Sequence, residues 1–320
     1  MPAVAAQAAG VRHHRSHSVL RCVDGRRFEA TLVVDATGGQ ARLVRYAEGS
    51  SPAYQTAYGI SARFDNDPLL GEPMVLMDYR DRADERGPPS FLYGWHQGDG
   101  RWFVEETVLA ARPAVPVEVL EQRLHRRLRT RGVCPLRVYE RERCKIAMGT
   151  ALPSLERRML AFGASAGLVH PATGYQMGHM LQVGQFVADA ICHGLRRGLP
   201  CAGVVRRAGE AMWPDWKREA RRLLLFGMEV VAGLDRRGAS RFFGTFFSLP
   251  RRDWCDYMSG QVDSARLTAI MWQLFQRAPM SLRIDLARRA VMSGQSVWRG
   301  LAAAADRGLR RPRRGRWAHG

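Results

Sequence analysis

The chain has 320 residues, 46% of them hydrophobic, and carries 49 Lys and Arg against 30 Asp and Glu, a net charge of +19. That length and apolar content suit a large buried core, in one large domain or two unequal ones, and exclude a disordered segment. The arginine-rich excess favours polyanions or an anionic bilayer as neighbours but names no chemistry.

The opening residues, 1–10, lack the basic region and the apolar core of a leader, and no apolar run reaches the roughly eighteen residues needed to span lipid. Six cysteines, Cys22, Cys134, Cys144, Cys192, Cys201 and Cys255, are scattered without a C-x-x-C pair, which fits free thiols better than a disulfide framework. The expected setting is the cytoplasm, free or peripheral to a membrane.

In chain order, Ser18 to Cys22 and Arg27 to Ala30 read as a hairpin turning at Asp24-Gly25. Thr31 to Val34 is a β-branched run ending at Asp35-Ala36-Thr37-Gly38-Gly39; it is either a parallel strand entering a nucleotide-side loop or an ordinary strand and turn. Aromatic and β-branched residues predict antiparallel strands at Thr56–Phe64, Met74–Tyr79, Ser90–Trp95 and Trp102–Leu109. Their turns fall near Asn66-Asp67-Pro68, Glu85 to Pro89 and Gln97 to Gly100. Leu120, Leu124 and Leu128 predict a helix over Val117–Arg131, ended by Gly132. Another strand follows near Leu136–Ile146.

Arg158 to Gly167 reads as a strand opening into a small-residue loop. Beyond Tyr175, the spacing of Met177, Met180, Leu181, Val187, Ala188 and Ile191 predicts a helix with one apolar face. After Leu199-Pro200 the chain is helical almost to its end. Trp216, Ala220, Leu223, Leu224, Val230 and Val231 outline a long amphipathic helix flanked by Arg218, Arg221 and Arg222. Residues 301–320 form a basic tail.

The strongest chemical signal is Glu105-Glu106 inside the bulky run Trp102 to Leu109. A buried carboxylate costs several kcal/mol unless compensated. Strand alternation sends the two to opposite faces, so one meets a substrate and the other solvent or an arginine; alternatively both lie at an exposed sheet edge. A carboxyl in an apolar pocket keeps its proton and can donate it to a poorly basic target. Asp78, in Met77-Asp78-Tyr79-Arg80-Asp81, either assists such an acid or belongs to a structural ion pair. The loop from Gly163 to Tyr175 leads into a helix whose free N–H groups can hold a cofactor's phosphate or ring oxygens. His170 is either a ligand or base or packs on a backbone carbonyl, and with His179 it forms no metal motif. Among the first hundred residues no Gly-x-Gly-x-x-Gly unit opens a dinucleotide fold, and P-loop, nucleophile-elbow and zinc signatures are absent.

Several segments, in order, are similar to the plant and bacterial lycopene cyclases. They are Val34-Asp35-Ala36-Thr37-Gly38, Tyr54 to Ile60, Met77 to Asp81, Phe103 to Thr107 followed by Ala111-Arg112-Pro113, and Gly167 to Tyr175. Trp213-Pro214, Phe226-Gly227-Met228 and Arg241 to Phe247 continue the likeness, which extends from about Val11 to about Gly294. The resemblance implies an α/β fold: a truncated FAD-binding, glutathione-reductase-like fold with an antiparallel substrate-domain sheet and a C-terminal helical region. The implied division is 1–52 as a remnant of the FAD-binding domain, 53–150 as the sheet domain, 151–199 as the returning FAD-domain strand, loop and helix, 200–300 as helices, and 301–320 as the tail.

It further implies Glu105 as the proposed acid, with Glu106 and Asp78 as further catalytic or supporting carboxylates. Asp35, Thr37, Gly38, Gly163, Gly167, His170, Pro171, Thr173, Gly174 and Tyr175 would line FAD, used in reduced form with NAD(P)H as reductant. The implied reaction is a redox-neutral, acid-initiated cyclisation of an acyclic carotene such as lycopene. Such a substrate makes the bilayer surface a partner; the Trp216 to Leu234 helix with Arg241-Phe242-Phe243 is either that contact surface or, for the helix, an interior member of a C-terminal bundle, and no specific nucleic acid is expected. Relatives begin with a Gly-x-Gly-x-x-Gly unit that this chain lacks, so an upstream fragment is a further expected partner for FAD binding. After the Tyr-Gly-Ile segment this chain carries Ser61-Ala62-Arg63-Phe64, where relatives commonly have acids. Competing readings are an FAD-dependent monooxygenase or reductase of a lipophilic substrate, and an inactive basic membrane-associated accessory protein.

Overall fold

The computed structural model describes residues 3–40, 43–44, 46, 51–80, 87–154 and 158–292. The expected basic tail lies outside them, as do Asp81 and the Glu85-Arg86 part of one expected turn.

Strands β1 (Ala8–His13), β2 (Ser18–Cys22) and β3 (Arg27–Ala30) form an antiparallel sheet. The β2–β3 hairpin is where the sequence predicts it. Strand β1 is an addition, since Ala8-Ala9-Gly10 has neither β-branching nor alternation to announce it.

Strand β4 (Val33–Asp35) runs parallel to β10 (Met159–Ala161), so the β-branched run is the parallel strand entering a glycine loop. Helices α2 (Met177–Arg196) and α3 (Cys201–Met212) cover one face of this pair through Val183, Val187, Val205 and Met212. On the other face Val34 is 46% exposed, unusual for a parallel strand. The apolar face expected of α2 is only partly buried: Val187 lies in the core, whereas Met177 and Leu181 are exposed.

The main sheet is antiparallel, with β5 (Ala53–Phe64), β6 (Met74–Asp78), β7 (Phe91–Gly98), β8 (Arg101–Ala111) and β9 (Pro135–Met148) in the order β6-β7-β8-β5-β9. Helix α1 (Val117–Thr130) lies across one face. Leu120, Leu124 and Leu128 are at most 1% exposed there and meet Tyr58, Ile60, Leu92, Val104 and Val108. Burial of each leucine contributes roughly 1.5–3 kcal/mol.

Part of the opposite face is covered by α4 (Asp215–Ala232), α5 (Arg236–Phe247), α6 (Arg251–Ser259), α7 (Ser264–Arg277) and α8 (Met280–Met292). Phe91 and Leu109 of the sheet join Leu223, Val230, Phe242 and Phe243 of these helices in one core. Of the two readings of α4 the interior one holds, since its apolar stripe faces the bundle, and the expected surface at Phe242-Phe243 is corrected, since each is 8% exposed. An amphipathic stripe serves either purpose, and burial decides between them. Among the described residues no helix is long and apolar enough to cross a membrane.

Candidate active site

Strand alternation divides β8. Val104, Glu106 and Val108 point toward α1, while Phe103, Glu105, Thr107 and Leu109 point to the other face. Pairing then builds a row across four strands: Tyr93 opposite Glu105, Glu105 opposite Gly59, and Gly59 opposite Glu142. The next row on this face is Phe91, Thr107, Ala57 and Cys144. The result is a trough along β5, covered at Gly59 by the Phe103 ring, with Glu105 and Thr107 on one side and Glu142 and Cys144 on the other. A Cβ on Gly59 would lie 2.8 Å from Phe103 Cζ and 3.2 Å from Glu105 Cβ, so a side chain there must push the Phe103 ring aside.

Glu105 is 9% exposed and has no cationic partner in an ion pair among the described residues. Thr107 Oγ1 donates to its Oε1 at 2.6 Å. Burial pushes the carboxyl up to about 7, the Thr107 hydrogen bond opposes this, and the charge of Glu142 adds to it. An aromatic wall rises beside it: Tyr93 and Trp95 have centroids 5.3 Å apart, and Trp95 and Phe103 4.5 Å apart. The Cys144 thiol is pushed up to about 11 by burial, with Glu105 and Glu142 contributing. A buried, proton-retaining acid facing aromatic rings can protonate a weak base and shelter the cation that results.

The other two expected carboxylates are not brought to this trough. Glu106 is fully buried toward α1, where Arg127 donates through Nε to Oε2 at 2.7 Å and through Nη2 to Oε1 at 2.9 Å. Asp78 sits in the same row, Asp78-Leu92-Glu106, and accepts 2.8 Å bonds from Arg80 and Arg131. Burial would raise its pKa, but these arginines prevail and hold its carboxyl well below the usual range. Arg127 and Arg131 are one turn apart on α1 and its C-cap, so Glu106 and Asp78 seat that helix on the sheet. Arg63 is exposed and donates to Asp99 O at 3.0 Å, bracing the β7–β8 turn.

The remaining residues line two loops at the ends of β4 and β10. Asp35 Oδ1 accepts from Thr37 N at 2.9 Å and Thr37 Oγ1 at 2.7 Å, while its Oδ2 is buried without a partner. Gly38 has φ +86° with open space where a Cβ would stand. Ser165, which the sequence does not single out, ties the loops together by donating to Asp35 O at 2.6 Å. Gly163 and Gly167 bound a short 3-10 turn. His170 Nε2 donates to Tyr257 O at 3.0 Å and Nδ1 accepts from Thr173 Oγ1 at 2.9 Å; burial pushes this imidazole down to about 4. Such a neutral, doubly engaged ring is a loop brace. Pro171 is buried, Tyr175 is 52% exposed, and a Cβ on Gly174 would collide with Gln55. Gln55 Oε1 is itself buried without a partner. Because Gln55 precedes Ala57 and Gly59 on the same face of β5, the loop and the carboxyl trough share one strand.

Two solved structures share the fold. The chain superposes on a geranylgeranyl bacteriochlorophyll reductase-like protein of Thermoplasma acidophilum with a TM-score of 0.58 at 14% identity, covering 87% of this chain and 68% of that one. Against the halogenase PltM in complex with FAD the TM-score is 0.51 at 10% identity, over 93% and 69% of the two chains. The fold thus resembles those of FAD-binding oxidoreductases.

Sequence comparison narrows the class: residues 2–284 match the lycopene cyclase protein family, and the chain belongs to that family. It is 36% identical to a lycopene beta cyclase of Synechococcus elongatus, over 93% of this chain and 74% of that protein. It is 38% identical to a chloroplastic lycopene beta cyclase of an Oncidium hybrid cultivar, over 88% and 61%. An uncharacterized carotenoid cyclase of Deinococcus radiodurans is 39% identical over 88% and 68%. The chain therefore spans roughly three-fifths to three-quarters of the length of these relatives.

Proposed function

We propose that this chain carries the acid-initiated cyclisation site of a lycopene cyclase, with Glu105 as the proton donor. The observation that carries the proposal is a carboxyl that is buried, in no ion pair with a cation among the described residues and pushed up to about 7, next to the rings of Tyr93, Trp95 and Phe103. Glu105 would deliver its proton to a terminal double bond of an acyclic carotene. A neighbouring double bond closes the ring onto the resulting cation, and loss of a ring proton ends the step, so the reaction is redox-neutral. Thr107 fixes the carboxyl's orientation, and the aromatic wall excludes water and offers its π faces to the positive charge. Glu106 and Asp78 are assigned here to holding α1 in place, a positioning role.

The loops fit the hydroxyl-bearing part of FAD. Asp35 Oδ2 and Gln55 Oε1 are buried acceptors awaiting donors, and Gly38 leaves room for a close approach. Asp35, Thr37, Gly38 and the Gly163 to Gly174 loop would hold it. When bound in reduced form, with NAD(P)H as the source of electrons, the flavin supplies electron density that stabilises positive charge. The exposed faces of Val34, Met177 and Leu181 are where an upstream fragment would add to the parallel strands.

The hydrocarbon substrate calls for an apolar reservoir and a lipid contact. A cavity of about 420 Å³ in the helical bundle is walled by Phe226, Val230, Phe246, Ile270 and Leu274. Trp272 and Val291 line it and are also 57% and 69% exposed, which moves the proposed bilayer contact to α7 and α8.

The test is expression in lycopene-accumulating bacteria, with and without the genomic segment immediately upstream, followed by pigment analysis. Cyclic carotenes that disappear in Glu105→Gln are expected. Acyclic pigment alone, in both arms and with folded protein present, sinks the proposal. NAD(P)H-dependent oxygen uptake without ring closure would favour a monooxygenase instead.

A further inference from the structure

Cyclisation adds a proton at one carbon of the chain end and removes one from another carbon of the ring, and Glu105 is aimed at only one of them. Thr107 Oγ1 holds its Oε1 at 2.6 Å, which fixes the direction of the carboxyl. Three other titratable side chains share this face beside it: Tyr93 on β7 directly opposite, and Glu142 and Cys144 on β9, beyond β5. Glu140 lies one row further on, opposite Ser61. Between Glu105 and Glu142 the Phe103 ring lies over Gly59, within 2.8 Å of where a Cβ on that glycine would stand.

A base must start without its proton. Burial raises the Tyr93 phenol above its ordinary 10.0 and pushes the Cys144 thiol up to about 11, and the charges of Glu105 and Glu142 add to both. Both groups therefore keep their protons at neutrality. Glu142 differs, being exposed and in no ion pair among the described residues. Groups on β7, β8 and β9 all sense its charge, which places the carboxylate over this face. The backbones of β8 and β9 are about 10 Å apart here. Carboxyls leaning inward from that spacing can reach the roughly 6.5–9.5 Å at which an acid and a base act on opposite sides of a six-membered sugar ring.

We propose that Glu142 is the base that removes the ring proton and so decides where the ring double bond forms. The inference rests on the cyclisation reading and names the proton acceptor which that reading leaves unassigned. The Glu105 O–H bond breaks as a C–H bond forms at the terminal double bond, and the neighbouring double bond supplies the electron pair of the new ring C–C bond. The C–H bond beside the resulting cation then breaks; its electron pair becomes the ring double bond and its proton passes to a Glu142 oxygen. Glu105 ends ionised and Glu142 neutral, with no net oxidation or reduction. Glu142, being exposed, returns its proton to water, and Glu105 takes one from water because burial favours its neutral form.

The experiment follows pigments in lysates of lycopene-accumulating bacteria that carry the full chain, alone and with its upstream segment, as the original sequence, Glu142→Gln or Glu105→Gln. Assay at about pH 5.5, well below the Glu105 value of about 7, keeps the donor loaded, so a deficit in Glu142→Gln there does not arise through Glu105. Glu142→Gln is expected to make the original cyclic carotene about 10²–10⁴-fold more slowly. Its cation should be diverted to rings with the double bond elsewhere or with a hydroxyl taken from water. Glu105→Gln is expected to make no ring of any kind. An unchanged product at an unchanged rate in Glu142→Gln overturns the proposal and leaves Glu105 standing as the donor. A slower rate with no diverted product also overturns it, since a merely structural loss scales every product alike. No ring from the original chain in either arm overturns the cyclisation reading and this one together. Should Glu142→Gln not fold, the original chain decides in deuterium oxide. Rings that gain solvent deuterium alone support two separate groups, whereas substrate hydrogen returning to the ring shows Glu105 acting as both acid and base and overturns the proposal.

Discussion

Glu105 and Glu142 stand on one face of the main sheet, two strands apart, with Gly59 and the Phe103 ring that packs over it between them. Their backbones are about 10 Å apart across that gap. Burial is the main reason that Glu105 keeps its proton to about 7, and Glu142 reinforces it. Tyr93 from β7 and Cys144 from β9 also face this carboxyl, and neither is a cation. Glu142→Gln is therefore expected to lower the Glu105 midpoint while leaving the fold intact, read as the pH at which the protonated-carboxyl infrared band disappears. An unmoved midpoint would show that Glu142 is not a partner of Glu105. Gly59→Ala, which must push the Phe103 ring off β5, is expected to cost about 1–3 kcal/mol in urea unfolding.

The same carboxyl links stability to pH. Its folded value is raised from 4.5 to about 7, so across that window the folded chain holds a proton that the unfolded chain has released. Stability accordingly falls as pH rises from about 4.5 to 7, and Glu105→Gln abolishes the fall. Above pH 7 the glutamine variant is expected to be more stable by an amount on the order of 3 kcal/mol. It should also lose cyclisation by about 10²–10⁴-fold. A variant less stable than the original chain at pH 8 would mean that Glu105 is compensated by something other than its proton.

Much of the scaffold was legible because its signals are local. Aromatic and β-branched residues with intervening turns mark β5 to β9, and Leu120, Leu124 and Leu128 mark α1. Strand order is not local, so the meeting of Glu105, Gly59 and Glu142 is invisible until β5 is placed between β8 and β9. Arg123, Arg127 and Arg131 also repeat every four residues, a signal present in the sequence but hidden because arginines on a helix normally mark its solvated face. Phe242 and Phe243 mislead for a related reason: the stripe that suits a bilayer also suits a bundle, and only packing separates them.

Glu106 is expected to behave unlike its neighbour. Glu106 and Arg127 are each sealed from solvent, so removing either charge strands the other. Glu106→Leu and Arg127→Met are each expected to cost about 3–5 kcal/mol, whereas the double variant that combines them should recover much of that loss. Urea unfolding of the four chains closes the cycle. Additive losses would mean that the two residues act independently and that the bidentate contact does not seat α1.

Asp78 provides the opposite pH signature from Glu105. Its folded pKa is held below the ordinary 3.8 because the hydrogen bonds and charges of Arg80 and Arg131 outweigh its burial. The stability it contributes is complete above about pH 4 and is lost as pH falls through the depressed folded value. Asp78→Asn is therefore expected to cost about 2–3 kcal/mol at pH 7, with the difference shrinking steadily as the solution is acidified below pH 4. Since Arg131 is the C-cap of α1, the loss should appear first as faster amide exchange at the end of that helix. A deficit that stays constant down to pH 2 would show that the aspartate contributes through packing or neutral hydrogen bonds rather than through its charge.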